Sequence, residues 1–140
     1  SMSEAIEKDP SNPVLYYNLG VVSADLGEDD AAIEYYKKSI ELDPSNEDSY
    51  LNMVAVILQG EESIVDEMNS LGTSRSDNIR YDELKKIRED LYLQCVPILK
   101  DLVDLNQNIE AVRTLMNIYG TLGDNQGYME MKNLRDQLDQ

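Results

Sequence analysis

Cys95 is the only cysteine, and adjacent carboxylates such as Glu61-Glu62, Asp66-Glu67 and Glu89-Asp90 are the other side chains that invite a chemical reading. A cysteine attacks as its thiolate and needs a base or a positive neighbour to form it. The chain contains no histidine. That removes the usual base, the Ser–His–Asp type of triad and every common catalytic zinc site. A single thiol makes neither an internal disulfide nor a cysteine metal cluster. Glycosidases oppose two carboxylates across a bond, whereas neighbours in a helix point apart, so these pairs read as solvated faces. Asp124-Asn125-x-Gly127 is only faintly similar to a calcium loop and reads as a turn. No glycine-rich phosphate loop occurs. The expectation is a protein that is not an enzyme, with no cofactor and no metal, and Cys95 as a core residue.

Charge narrows the partners. The 140 residues hold 12 bases and 28 acids, a formal net charge of −16. The acidity is uneven: residues 1–60 carry 12 acids against 3 bases, a net of −9. Such a surface disfavours phosphate backbones and anionic lipid, so neither nucleic acid nor membrane is expected as a partner. The longest apolar run, Met53 to Leu58, is far short of the roughly 20 residues that span a bilayer. At 41% hydrophobic residues the chain can nevertheless bury a core.

The organising feature is a repeat. Asp9-Pro10-Ser11-Asn12 returns 34 residues later as Asp43-Pro44-Ser45-Asn46. Between them stand Tyr16-x-x-Leu19-Gly20, Gly27, Ala32-x-x-x-Tyr36 and Pro44. This period and these offsets resemble the tetratricopeptide repeat (TPR) family, with Ser23 departing from the usual tyrosine. The residues explain themselves physically. Leu19, Val22 and Leu26 form a helical stripe. Gly20 costs about 1 kcal/mol against alanine in mid-helix, which suggests close approach by a neighbouring helix. Gly27 ends the first helix, Glu28, Asp29 and Asp30 suit the start of the second, and Pro44 stops it. Ala32, Ile33, Tyr36, Ile40 and Leu42 supply its buried side.

A second unit begins with Tyr50-x-x-Met53-Val54-x-x-Ile57, but its partner helix arrives late. Cys95-Val96-x-x-Leu99 overlays Ala32-Ile33-x-x-Tyr36, and a third unit follows with Val112-x-x-Leu115-Met116-x-x-Tyr119 and Gly123. The spacing leaves 28 extra residues in repeat two. Tyr50, Met53, Ile57, Ile64, Met68 and Leu71 keep a helical spacing, with Gly60 and Glu61 as a weak spot. Leu84, Ile87, Leu91, Cys95, Ile98, Leu102 and Leu105 do the same. Both helices therefore read as lengthened into a protruding hairpin with a coiled-coil-like seam, turning at Gly72–Asn78. That turn is expected to be the most mobile internal segment, and Pro97 to kink the second long helix.

The expected fold is all-α: a TPR-type α-solenoid of stacked antiparallel helix pairs, with an elongated helical hairpin in the second repeat. Helices are expected near 13–26, 29–42, 47–71, 79–105, 108–122 and 125–138. The expected organisation is an expression scar at 1–3, the tail of a truncated upstream repeat at 4–12, repeat one at 13–46, repeat two with its insertion at 47–108, and repeat three with a cap at 109–140.

The resemblance implies function through an inner groove lined by the first helix of each repeat. Carried over residue by residue, it implies peptide-binding positions at Val14, Tyr17, Val21 and Asp25, then Leu51, Ala55, Leu58 and Gln59, then Glu110, Arg113, Asn117 and Thr121. Tyr17 and Leu51 are the expected anchors. Some TPR domains clamp acidic chaperone tails with lysine, arginine and asparagine at two positions per repeat. Tyr17, Val21, Ala55, Arg113 and Asn117 stand there, and Arg113 alone is basic. The resemblance therefore implies a non-catalytic interaction scaffold for a protein or peptide that is not acidic. The alternative is self-assembly into a homodimer through the arm or the N-terminal edge.

Overall fold

The computed structural model of the protein describes residues 7–140. The expected scar at 1–3 and the first residues of the expected truncated repeat lie outside them. From Pro13 onward the helices are α1 (Pro13–Asp25), α2 (Asp29–Leu42), α3 (Glu47–Ile57), α4 (Glu61–Ser70), α5 (Arg75–Asn106), α6 (Ile109–Leu122) and α7 (Asn125–Leu138), with a 3-10 turn at Leu58–Gly60. The described residues contain no strand. The chain divides into two compact units, one ending at Ile57 and one beginning at Leu58.

In the first unit the repeated Asp-Pro-Ser-Asn is a helix connector. Asp43 Oδ1 accepts from the Ser45 amide at 3.0 Å and its hydroxyl at 2.6 Å. These bonds, the hydroxyl's first, hold the Asp43 carboxyl below its ordinary value. Asn46 Oδ1 then accepts from the Asp48 amide at 3.1 Å, at the start of α3. The earlier copy does the same: Ser11 Oγ donates to Asp9 at 3.1 Å, and Asn12 accepts from the Val14 amide at 3.0 Å. Each asparagine satisfies an amide that the first helical turn leaves without a partner.

α1 packs on α2, and α2 on α3. Gly20 shows why a costly glycine sits in mid-helix. A Cβ there would lie 2.6–2.9 Å from three ring carbons of Tyr36, a residue only 2% exposed. The contact face of α1 is centred on small residues, with Gly20 and Ser23 buried. The expected stripe is therefore corrected: Val22 and Leu26 are 40% and 69% exposed. Close approach through small side chains outweighs burial of these two large ones.

A second small position was not anticipated as polar. Ser39 and Ser49 are wholly buried. Their hydroxyls lie 3.2 Å apart, and Ser39 Oγ donates to the Pro13 carbonyl at 3.0 Å. This chain of bonds ties α1, α2 and α3 together at one point. Buried polar groups are tolerated when bonded in this way.

In the second unit α4 and α5 form an antiparallel hairpin. Arg80 grips both carboxylate oxygens of Glu67, at 2.7 and 3.0 Å, and reaches Glu83 at 3.2 Å. The hydrogen bonds from Arg80 hold Glu67 below its ordinary carboxyl value. Nearer the start of α4, Glu61 accepts from the Tyr92 hydroxyl and from Arg88 Nε at 3.2 Å. Arg88 also donates to Tyr92 Oη at 3.0 Å, its guanidinium 5.2 Å from the centre of that ring.

Three expectations about this hairpin are corrected. The expected 47–71 helix is broken by the turn at Leu58–Gly60, where Gly60 supplies no helix propensity and no side-chain cap. The turn expected over Gly72–Asn78 is shorter, because α5 already starts at Arg75. Ser74 accepts from the Asp77 amide at 3.1 Å, and Asp77 accepts from the Gly72 amide at 3.0 Å. The Ser74 cap satisfies an amide of the first turn of α5, and Asp77 ties the preceding turn back to it. The expected seam also shifts: Ile87 and Leu105 are 44% and 43% exposed, while Tyr92 is buried instead. α5 runs unbroken through Pro97. Pro97 and Leu93 both lie on its exposed face, where water can bond the carbonyl that proline leaves without a donor.

Cys95 is completely buried. Burial first, and the Glu61 charge second, push its thiol up to about 12. α6 and α7 close the unit as a hairpin in which Gly127 meets the Tyr119 ring, a Cβ there lying within 2.8–2.9 Å of ring carbons.

Candidate peptide groove

Helix α1 carries Val14, Tyr17, Val21 and Asp25 along its length. Tyr17 is held from two sides. Its ring lies 6.0 Å from that of Tyr36 at a 54° tilt, and its hydroxyl accepts from Asn52 Nδ2 at 3.1 Å. The Asn52 bond links α1 to α3. Beside it opens a cavity of about 220 Å³, lined by Val21, Ala24, Asp25, Tyr36, Asn52, Ala55 and Val56. Burial pushes the Tyr36 phenol above its ordinary value, with Tyr17 and Asp25 adding to the rise and the Asn52 hydrogen bond opposing it.

The structure thus brings Val21, Asp25 and Ala55 into one pocket, with Tyr17 bonded to its wall. Val14 stands at the start of α1 and is 58% exposed. Leu51 is half-buried on α3 and does not line the cavity. Leu58, Arg113 and Asn117 belong to the second unit. There Leu58 is half-buried in the 3-10 turn, and Asn117 is exposed on α6. Arg113, 58% exposed, lies 3.6 Å from Asp139. Sequence reasoning missed Asn52. A signal was present: an asparagine inside a helix costs more than half a kcal/mol against alanine, about 0.7 at most, so a bonded role is the economical explanation.

Among the described residues no group of three or more metal-ligating side chains converges, and no helix is long and apolar enough to cross a membrane.

Antiparallel helix pairs joined by Asn-capped connectors define the class: an α-helical repeat protein. Residues 13–46 match the family model of the tetratricopeptide repeat, and this segment is a tetratricopeptide repeat. Over 61 residues the chain is 39% identical to the Photosystem I assembly protein Ycf3 of Rippkaea orientalis (strain PCC 8801 / RF-1). That match covers 41% of this chain, and spans about a third, 35%, of the relative. Among solved structures, YrrB, described as a TPR protein with an unusual peptide-binding site, aligns with 99% of this chain and 75% of its own, at 18% identity and a TM-score of 0.41.

Proposed function

We propose that the chain is a non-catalytic protein-interaction scaffold that takes an extended peptide or a helix against the face formed by α1 and α3. The observation that carries this reading is the cavity beside the Tyr17–Asn52 bond, lined mainly by apolar side chains and including Asp25. Binding energy concentrates where side chains enter such pockets. The repeat at 13–46 supports it, since this repeat serves protein recognition, and the named role of the Ycf3 relative in assembly is of the same kind. In this reading the second repeat covers 47–108 with its inserted hairpin, the third covers 109–140, Leu51 belongs to the binding face of the first unit, and Leu58, Arg113 and Asn117 are peptide-binding positions of the second unit.

The test is Tyr17→Glu combined with Leu51→Glu, comparing partner capture and far-ultraviolet helicity. Capture is expected to fall with helicity kept; unchanged capture removes the groove from consideration. Self-assembly is a second reading, favoured by the exposure of Val22 and Leu26 on α1. A monomer at all concentrations in sedimentation would refute it.

A further inference from the structure

We propose that the α1–α3 groove selects peptides bearing a lysine or arginine, whose cationic head pairs with Asp25 while its methylene stem lies along Val21, Ala24, Ala55 and Val56. The proposal rests on the groove reading above and adds the chemistry of the ligand.

Asp25 is the last residue of α1. A negative charge at a helix C-terminus opposes the helix dipole, so Asp25 is placed against local stability. No basic residue shares its turn. Among the described residues no cation is paired with Asp25, although Asp25 is one of the residues lining the cavity. The walls offer no competitor either. α1 and α3 carry Asp25, Glu47 and Asp48 and no lysine or arginine. The nearby bases, Lys37 and Lys38, are on α2 and lie 3.5 and 3.8 Å from Glu34 and Glu41. A cavity of about 220 Å³ suits one long side chain rather than a small-molecule ligand, whose pockets run from about 300 Å³ upward. Lysine and arginine join an apolar stem to a charged tip, which matches apolar walls ending at a carboxylate. An acidic peptide would instead bring its charge to a surface with a net −9 over residues 1–60.

The test titrates the isotope-labelled full chain with short synthetic peptides, read by amide chemical shifts. The peptides share a Gly-Ala-Leu background and carry lysine, arginine, methionine or glutamate at one central position. The cationic peptides are expected to bind about fivefold tighter than the methionine peptide, with the preference shrinking as salt rises. Asp25→Asn is expected to erase that preference by lowering the affinity of the cationic peptides to that of the methionine peptide, and to lose no stability to urea. Ala55→Gln, a neutral block of the cavity, should weaken every peptide. Equal affinity of lysine and methionine peptides, or a preference that survives Asp25→Asn, overturns the cation proposal and leaves the groove reading standing. Binding indifferent to Ala55→Gln, or no binding of any peptide, overturns both.

Discussion

Gly20→Ala sets two physical effects against each other, and the structure decides between them. Helix propensity alone makes the change stabilising by about 1 kcal/mol. The new Cβ, however, would stand 2.6, 2.7 and 2.9 Å from three carbons of the Tyr36 ring. Tyr36 is 2% exposed and packed against Tyr17, so the ring has little room to retreat. Overpacking costs about 1–3 kcal/mol, and three contacts below 3.0 Å against a buried ring put this case in the upper part of that range, about 2–3 kcal/mol, so that after the propensity gain a net loss of about 1–2 kcal/mol is expected. In a domain of this size that lowers the melting temperature by roughly 2–8 °C. Urea and thermal unfolding followed by circular dichroism measure it. Tyr36→Leu, which removes the clashing ring, should reverse the sign of the Gly20→Ala effect in a double-mutant cycle. A wild-type-like or higher stability of Gly20→Ala in the Tyr36 background would refute the packing argument.

Further outcomes follow from other contacts. Ser39→Ala should cost about 1–2 kcal/mol in urea unfolding, because it strands the buried Ser49 hydroxyl, and adding Ser49→Ala should cost less than the two singles combined. Cys95, with its thiol pushed up to about 12, should resist iodoacetamide at pH 8 in the folded chain and react on adding denaturant. Glu67 lies below its ordinary value, so its contribution is present above pH 4.5 and is lost as pH falls through the lower folded value. Acid titration of Arg80→Gln should therefore show a shallower loss of stability below pH 4.5 than the wild type. The Tyr36, Tyr92 and Tyr119 phenols are all raised, chiefly by burial. Their stabilisation is full below pH 10 and lost above it, so absorbance at high pH should show late-titrating tyrosines that release together with unfolding.

The first repeat was legible because its signals are local. Glycine, proline, the Asp-Pro-Ser-Asn connector and the position of Tyr36 act within one hairpin, and the helices at 29–42 and 125–138 have the expected bounds. The α4–α5 hairpin was legible in kind but not in detail. Its helical spacing is real, yet Glu61 meets Arg88 and Tyr92 at separations of 27 and 31 residues, which no periodicity encodes. The cap at Ser74 and Asp77 was readable as Ser-x-x-Asp, but turn-forming composition over 72–78 obscured it. At the candidate site, family positions indicated Tyr17, Val21, Asp25 and Ala55. The hydrogen bond from Asn52 to Tyr17, residues 35 apart in the chain, depends on the spacing of two helices, which no local pattern encodes.

The buried serine pair bears on where this chain can be cut. Ser39 belongs to the hairpin that ends at residue 46, while Ser49 lies just past it on α3. A fragment trimmed to the 34-residue repeat would keep the Pro13 bond and lose the Ser49 one, opening a wholly buried hydroxyl to solvent at its new end. The natural severing point is after Ile57, so the smallest portable piece of this scaffold is three helices rather than two. Any graft, chimera or tandem array assembled from it should carry α3 along as the seal of the preceding pair.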